Sequence, residues 1–199
     1  MNTRQAADPQ PPARTPTTAT PVPGKGVGAV MPVYRLQVPA AGDMNPRIES
    51  AFERALEAPA TRQSHLFHGR YENIYPERRE MPEIDPLIDI VERSACEVLG
   101  RTRPFRTGFW FNRMAPGDVT TLHQHDDDDE LLSAVYYVTA PPRSGRLVFR
   151  APDATMFVDP GPGLLLLFPP DLPHEVERHE GQGVRLSIAF NLGPGNNSV

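Results

Sequence analysis

A chain of 199 residues is long enough for one domain with a sizeable core and short for two. With 39% hydrophobic residues and no apolar run near the ~18 residues of a spanning helix, the composition excludes a membrane span. The Pro- and Thr-rich start lacks the apolar stretch of a signal peptide, so a soluble, cytoplasmic protein is expected. A formal net charge of −5 without a basic patch speaks against nucleic acid as a partner, and the single cysteine, Cys96, excludes an internal disulfide.

Proline is the outlying residue type, 24 of 199 against an average of about 5%. Residues 1–32 hold seven of them and no Leu, Ile, Phe, Tyr or Trp. Such a segment buries too little surface to offset the entropy of ordering it, and residues 1–30 are read as an unstructured tail. The folded domain is then 31–199, with helical support over 43–100 and a barrel core over 104–192.

A strand-like stretch at Val33–Val38 precedes a helix capped by Asp43 or Asn45, with Pro46 in its first turn and Ile48, Phe52 and Leu56 four apart. A second helix spans 85–99, from Asp85 and Pro86 to the stop at Gly100, with Cys96 expected in its apolar pattern. Between them, His65–Tyr75 is rich in aromatic and polar groups without helical period and reads as a strand or a binding loop.

From Pro104 onward the texture is β. Short apolar runs at 105–114, 119–125, 132–138, 145–150, 155–158, 164–168, 174–177 and 184–191 are separated by turn residues such as APGD, APPRSG, DPGPG and PPDLP. Eight such strands after helices predict a mainly β protein, a two-sheet sandwich or jelly roll with helices covering one sheet.

His123 and His125 stand two apart, so on one strand both imidazoles would face the same side, the spacing a mononuclear metal needs. His174 follows about fifty residues later, where an antiparallel double-sheet fold brings a third imidazole back beside the pair. His65, His68 and His179 read as surface or substrate-region residues. On the last strand Arg185 and Ser187 share a face, opposite the apolar Val184, Leu186, Ile188 and Phe190. If that face is the inner one, an unpaired arginine beside a hydroxyl suits a bound carboxylate.

From Trp110 to Asn191 the chain resembles the iron(II)- and 2-oxoglutarate-dependent oxygenases. The resemblance rests on Trp110-Phe111-Asn112, Pro116-Gly117-Asp118, His123-Gln124-His125, Leu132 to Tyr137, Ser144 to Phe149, Phe168-Pro169, His174 and Arg185 to Asn191. It implies a double-stranded β-helix, iron(II) held by His123 and His174, and Arg185 with Ser187 gripping the distal carboxylate of 2-oxoglutarate. Asn112 and Tyr137 are further co-substrate contacts on this reading.

Most of that superfamily has H-x-D or H-x-E where this chain has His125. Either three imidazoles hold the iron, with 2-oxoglutarate supplying the negative charge, or the register slips and Asp127 is the second ligand. His123 and His125 are preferred because the resemblance aligns there. The activity implied is hydroxylation of a small polar or amino-acid-like molecule, using O2 and releasing succinate and CO2. Arg70, Tyr71, Asn73 and Tyr75, with Arg113 and Arg146, are expected at the mouth of the barrel, Arg70, Tyr71 and Arg113 meeting the substrate, and the oligomeric state, a homodimer included, stays open. The alternative is a cupin-type metalloprotein, which shares the barrel. Gly117, His123, His125, Glu130 and His174 meet parts of its motifs and would form a three-His, one-Glu site without 2-oxoglutarate, leaving Arg185 and Ser187 unexplained.

Overall fold

The computed structural model describes residues 19–21, 31–67, 69–102, 104–125 and 129–195. In chain order these form β1 (Thr20–Pro21), β2 (Tyr34–Gln37), α1 (Ala41–Leu56), β3 (Arg62–Phe67), β4 (Arg70–Tyr75), two single 3-10 turns, α2 (Asp85–Leu99), β5 (Phe105–Met114), β6 (Thr120–His123), β7 (Leu132–Thr139), β8 (Leu147–Ala151), β9 (Ala154–Val158), β10 (Leu164–Phe168), β11 (His174–Val176) and β12 (Arg185–Pro194). All pairings are antiparallel. One sheet runs β1-β2-β10-β7-β12-β5-β4-β3 and faces a second, β6-β11-β8-β9, which is the expected jelly roll.

Strand alternation divides the core in two. Tyr136 and Val138 of β7, Leu165 and Leu167 of β10 and Ile188 and Phe190 of β12 turn outward onto the helices, where they meet Ile48, Phe52, Leu87 and Val91. Val135 and Tyr137, Leu164 and Leu166, and Phe168 turn inward against Leu147, Phe149 and Met156 of the smaller sheet. Because both faces of the large sheet are covered, its central strands read as continuous apolar runs; all five residues of β10 are buried. On β12 the outward set is apolar while the inward set is Arg185, Ser187, Ala189 and Asn191. The polar face of that strand therefore points into the barrel, toward the cavity described below.

Several elements depart from their sequence reading. Helix α1 starts at Ala41, so Pro46 is its sixth residue rather than part of a capped first turn. Asn45 does not cap. It ties the helix to β7, its Nδ2 donating to the Val138 carbonyl at 2.8 Å and its Oδ1 accepting from the Tyr136 hydroxyl at 2.5 Å. Helix α2 has the expected span and ends on Gly100 in the left-handed region, while Asp85 pairs with Arg78 instead of capping. Cys96 is only half-buried, Ala95 and Val91 taking the core positions. The segment 65–75 is part of the hairpin β3–β4, joined to β5 through Ile74 opposite Phe111. Thr20 and Pro21, inside the expected unstructured start, pair with Arg35 and Tyr34 at the free edge of β2. Apart from Ala19, the rest of that start lies outside the described residues, as do His68 and the acidic residues 126–128.

Candidate active site

The register of the smaller sheet assembles the histidines. His174 on β11 stands directly opposite His123 on β6, with Phe149 of β8 on its other side. His125 lies just past the end of β6, its backbone N–H donating to the Pro170 carbonyl at 2.7 Å. Ring centroids of His123 and His174 are 4.3 Å apart, those of His123 and His125 5.1 Å, and those of His125 and His174 5.3 Å. One nitrogen from each of the three lies within 4.8 Å of the others. Glu130, required by the cupin alternative, is not in that group, and Asp127 lies outside the described residues.

Backbone carbonyls set the tautomers. The Nδ1 of His123 is 2.8 Å from the Thr121 carbonyl, and that of His174 is 2.9 Å from the Leu172 carbonyl. A carbonyl only accepts, so each Nδ1 carries a proton, and in the neutral ring the lone pair is then on Nε2. Burial, then the neighbouring His123, pushes the His174 pKa down from about 6.5 to about 3, partly offset by the Leu172 carbonyl. A neutral imidazole is the form that binds metal. Three imidazole nitrogens converging within 4.8 Å of one another fit a first-row divalent ion.

The same cavity, about 410 Å³, runs from these histidines to β12. Arg185 is 1% exposed and Ser187 3%. The guanidinium donates to the carbonyls of Gly145 at 2.9 Å and Ser144 at 3.3 Å, lies 5.1 Å from the centre of the Tyr137 ring and contacts the Tyr137 hydroxyl at 3.4 Å. Among the described residues its Nε has no partner, and burial lowers its pKa. A buried cation without a carboxylate beside it among the described residues, facing a cavity, fits a carboxylate ligand.

The candidate residues divide by place. His123, His125, His174, Arg185, Ser187 and Asn112 all line this cavity. Asn112 is held by its Nδ2 donating to the Glu72 carbonyl at 2.8 Å and to Asn73 Oδ1 at 3.0 Å. Tyr137 is fully buried behind Arg185 and supports it rather than lining the space. Arg70, Tyr71 and Arg113 are not brought into the cavity. Arg70 is engaged by Glu72, Asp118 and the Val119 carbonyl, Tyr71 is 42% exposed, and Arg113 is exposed. His65, Glu72, Asn73, Tyr75 and Trp110, from the hairpin β3–β4 and from β5, line it instead. Of these, Asn73 and Tyr75 were expected at the cavity mouth and His65 at the surface or substrate region, while Glu72 and the cavity-facing position of Trp110 carried no signal without a recognised strand pairing. His179 is buried, at 1% exposed, not a surface residue.

Comparison with known proteins agrees with this geometry. Residues 152–191 match the sequence model of the family described as "Putative 2OG-Fe(II) oxygenase", a segment containing His174, Arg185 and Ser187. No curated protein sequence matches the chain. Among solved structures, the non-heme alpha ketoglutarate dependent carbocyclase SnoK from nogalamycin biosynthesis is similar with a TM-score of 0.68 and 14% identity, covering 82% of this chain and 80% of that one. A Pseudomonas putida prolyl-4-hydroxylase is similar with a TM-score of 0.59 and 18% identity over 83% of this chain and 89% of that one. HygX from Streptomyces hygroscopicus, solved with nickel and 2-oxoglutarate bound, has a TM-score of 0.60 and 17% identity over 82% and 83%. The chain thus has the fold of the 2OG-Fe(II) oxygenases and, in its last third, a segment with their sequence pattern.

Proposed function

We propose that the chain is a 2-oxoglutarate-dependent dioxygenase that hydroxylates a small polar metabolite, with His123, His125 and His174 as its iron ligands. The observation that carries this reading is one cavity with three converging imidazoles at one side and, at another, a buried arginine with no carboxylate beside it among the described residues. When bound, iron(II) with 2-oxoglutarate and O2 supplies the oxidising chemistry, with loss of succinate and CO2.

The chain's own residues bind, orient and shield. The Thr121 and Leu172 carbonyls hold His123 and His174 in the tautomer that leaves Nε2 free. Three uncharged ligands leave the metal's double positive charge for the 2-oxoglutarate dianion to offset. Arg185 would grip the distal carboxylate, with the Ser187 hydroxyl as a second donor. The Tyr137 hydroxyl and the Ser144 and Gly145 carbonyls fix the guanidinium in place. Phe149 and Phe168, whose rings pack against His174 with centroids 6.0 and 4.9 Å away, keep water from that side.

The test is turnover. With Fe(II), 2-oxoglutarate and air the protein is expected to form succinate slowly, and faster with a cognate compound from a panel of small polar metabolites. No succinate under any condition, from protein shown to hold iron, would contradict the proposal.

A further inference from the structure

Four histidines line the cavity, and the fourth, His65, stands apart from the metal group on the hairpin β3–β4. Its backbone puts it there. Along a regular strand residue 65 would share a face with Gln63, whose partner Ile74 is buried in the helix-side core. That alternation would turn the side chain away from the cavity. His65 instead has φ 58°, in the left-handed region, while the pairs Ser64 with Asn73 and Leu66 with Tyr71 stay in register. Its imidazole lies against the side chains of Ser64 and Asn73, on the cavity side. A left-handed backbone costs free energy for any residue with a Cβ, and such strain gathers at ligand-binding positions.

Hydrogen bonds fix what this face offers. Glu72 turns its backbone carbonyl to Asn112 at 2.8 Å and its carboxylate to Arg70 at 3.1 Å. A carbonyl only accepts, so the Asn112 atom there is its amide nitrogen. The same nitrogen meets Asn73 at 3.0 Å, which makes the Asn73 atom facing it the oxygen. The Asn73 nitrogen then donates to His65 Nδ1 and to the Tyr75 hydroxyl, each at 3.2 Å. His65 Nδ1 also receives Ser64 Oγ at 2.8 Å, so the proton of the neutral ring sits on Nε2. The Tyr75 hydroxyl, already accepting from Asn73, is 3.5 Å from Ser64 Oγ. That is longer than the about 2.5–3.0 Å of an ordinary hydroxyl pair, so its own proton is left to give. Two donors, His65 Nε2 and the Tyr75 hydroxyl, thus lack a close acceptor among the described residues. Glu72 is the single acid among the described lining residues, and Arg70 takes its carboxylate. Trp110 connects this pair to the metal group, its ring centroid 6.1 Å from that of Tyr75 and 5.5 Å from that of His125.

We propose that His65 and Tyr75 form a substrate subsite that takes a carboxylate, and that the substrate is therefore an organic acid. A carboxylate oxygen would accept from His65 Nε2 and from the Tyr75 hydroxyl, and a charged acceptor binds such donors about twice as strongly as a neutral carbonyl does. An ammonium group would face two donors. This names the substrate class of the activity proposed above and rests on that reading for the chemistry, though not for the binding.

Trp110 is the sole tryptophan of the chain, so its fluorescence reports binding beside Tyr75. Cyclohexanecarboxylate, cyclohexanecarboxamide and cyclohexylamine share one ring and differ in the group it bears. They are titrated into full-length protein loaded with Mn(II) and 2-oxoglutarate. The carboxylate is expected to bind at least about tenfold more tightly than either of the others. Tyr75→Phe keeps the ring beside Trp110 and His65→Gly keeps the left-handed backbone; each reduces the preference at least about threefold, with 2-oxoglutarate still bound. Equal binding of carboxylate and carboxamide, tighter binding of the amine, no response to any of the three, or a preference unchanged in either variant would overturn the proposal. The series is repeated on metal-free Arg185→Met protein, where neither the metal nor the arginine can take the carboxylate. The preference is expected to persist, and its loss would also overturn the proposal. Its persistence, in a chain whose metal-loaded form fails to bind 2-oxoglutarate, would refute the dioxygenase reading and leave the subsite standing.

Discussion

Arg185 sets folding against binding. It is a cation at 1% exposure whose partners among the described residues are two carbonyls and a phenol, its Nε having none there. Replacing a buried, incompletely satisfied charge by an apolar residue of similar length is often neutral or stabilising, by about 1–4 kcal/mol. Arg185→Met is therefore expected to leave thermal unfolding of the ligand-free protein unchanged or shifted upward, while 2-oxoglutarate affinity, measured by calorimetry on metal-loaded protein, drops at least about tenfold. Lost stability with unchanged affinity would assign Arg185 a structural role. His174 gives the second prediction at this scale. The unfolded chain takes up a proton there near pH 6.5, the folded ligand-free chain only near 3, so protons favour unfolding. This contribution to stability is complete above 6.5 and is lost as the pH falls toward 3. Urea midpoints of the metal-free protein should decline over that range, and less so in His174→Gln.

At the scale of elements, the most exposed dependence is the seam between α1 and β7. The Tyr136 hydroxyl reaches Asn45 Oδ1 in the interior, and removing it in Tyr136→Phe leaves a buried acceptor unsatisfied, at a cost of about 1–3 kcal/mol. The measurement is a denaturant midpoint, with metal affinity unchanged because the seam lies on the helix side of the large sheet. The turn at Gly145 behaves otherwise. It has φ 86°, and a Cβ there would stand 2.1 Å from the Glu177 carbonyl oxygen. Its own carbonyl holds Arg185. Gly145→Ala should therefore lower stability and weaken 2-oxoglutarate binding together, which Tyr136→Phe should not.

The elements also show what the sequence could tell. β5 and β10 coincide with their apolar runs because alternation or full burial is bounded there by turn residues. The start of α1 was misread because Asp43 and Asn45 look like caps, whereas Asn45 serves a partner 93 residues away. The hairpin β3–β4 stayed ambiguous because its polar residues face a cavity rather than a core.

For the molecule as a whole, the three-histidine group was legible, while of the residues expected at the mouth Asn73 and Tyr75 line the cavity and Arg70, Tyr71 and Arg113 do not. His123 and His125 announce themselves by spacing, and Arg185 with Ser187 by opposing an apolar face on one strand. Arg70 and Arg113 were attractive as cationic residues near the barrel, but long-range contacts decide their roles: Arg70 is engaged by Asp118 and the Val119 carbonyl. A ligand that binds only the folded state stabilises it by mass action, by about 2.7 kcal/mol at a hundred times its dissociation constant. Adding Mn(II) should raise the melting temperature, 2-oxoglutarate should raise it further, and a chelator should undo both. In Arg185→Met the metal shift should persist and the 2-oxoglutarate shift vanish.

The central claim is that three imidazoles and one buried arginine together hold iron(II) and 2-oxoglutarate in one cavity. The most direct test is an anaerobic titration of 2-oxoglutarate into the Fe(II)-loaded protein, followed by visible absorption. A weak charge-transfer band that saturates at one 2-oxoglutarate per chain, and is absent from His125→Ala, is the result expected. Iron bound without any such band, or a band unaffected by the loss of His125, would contradict it.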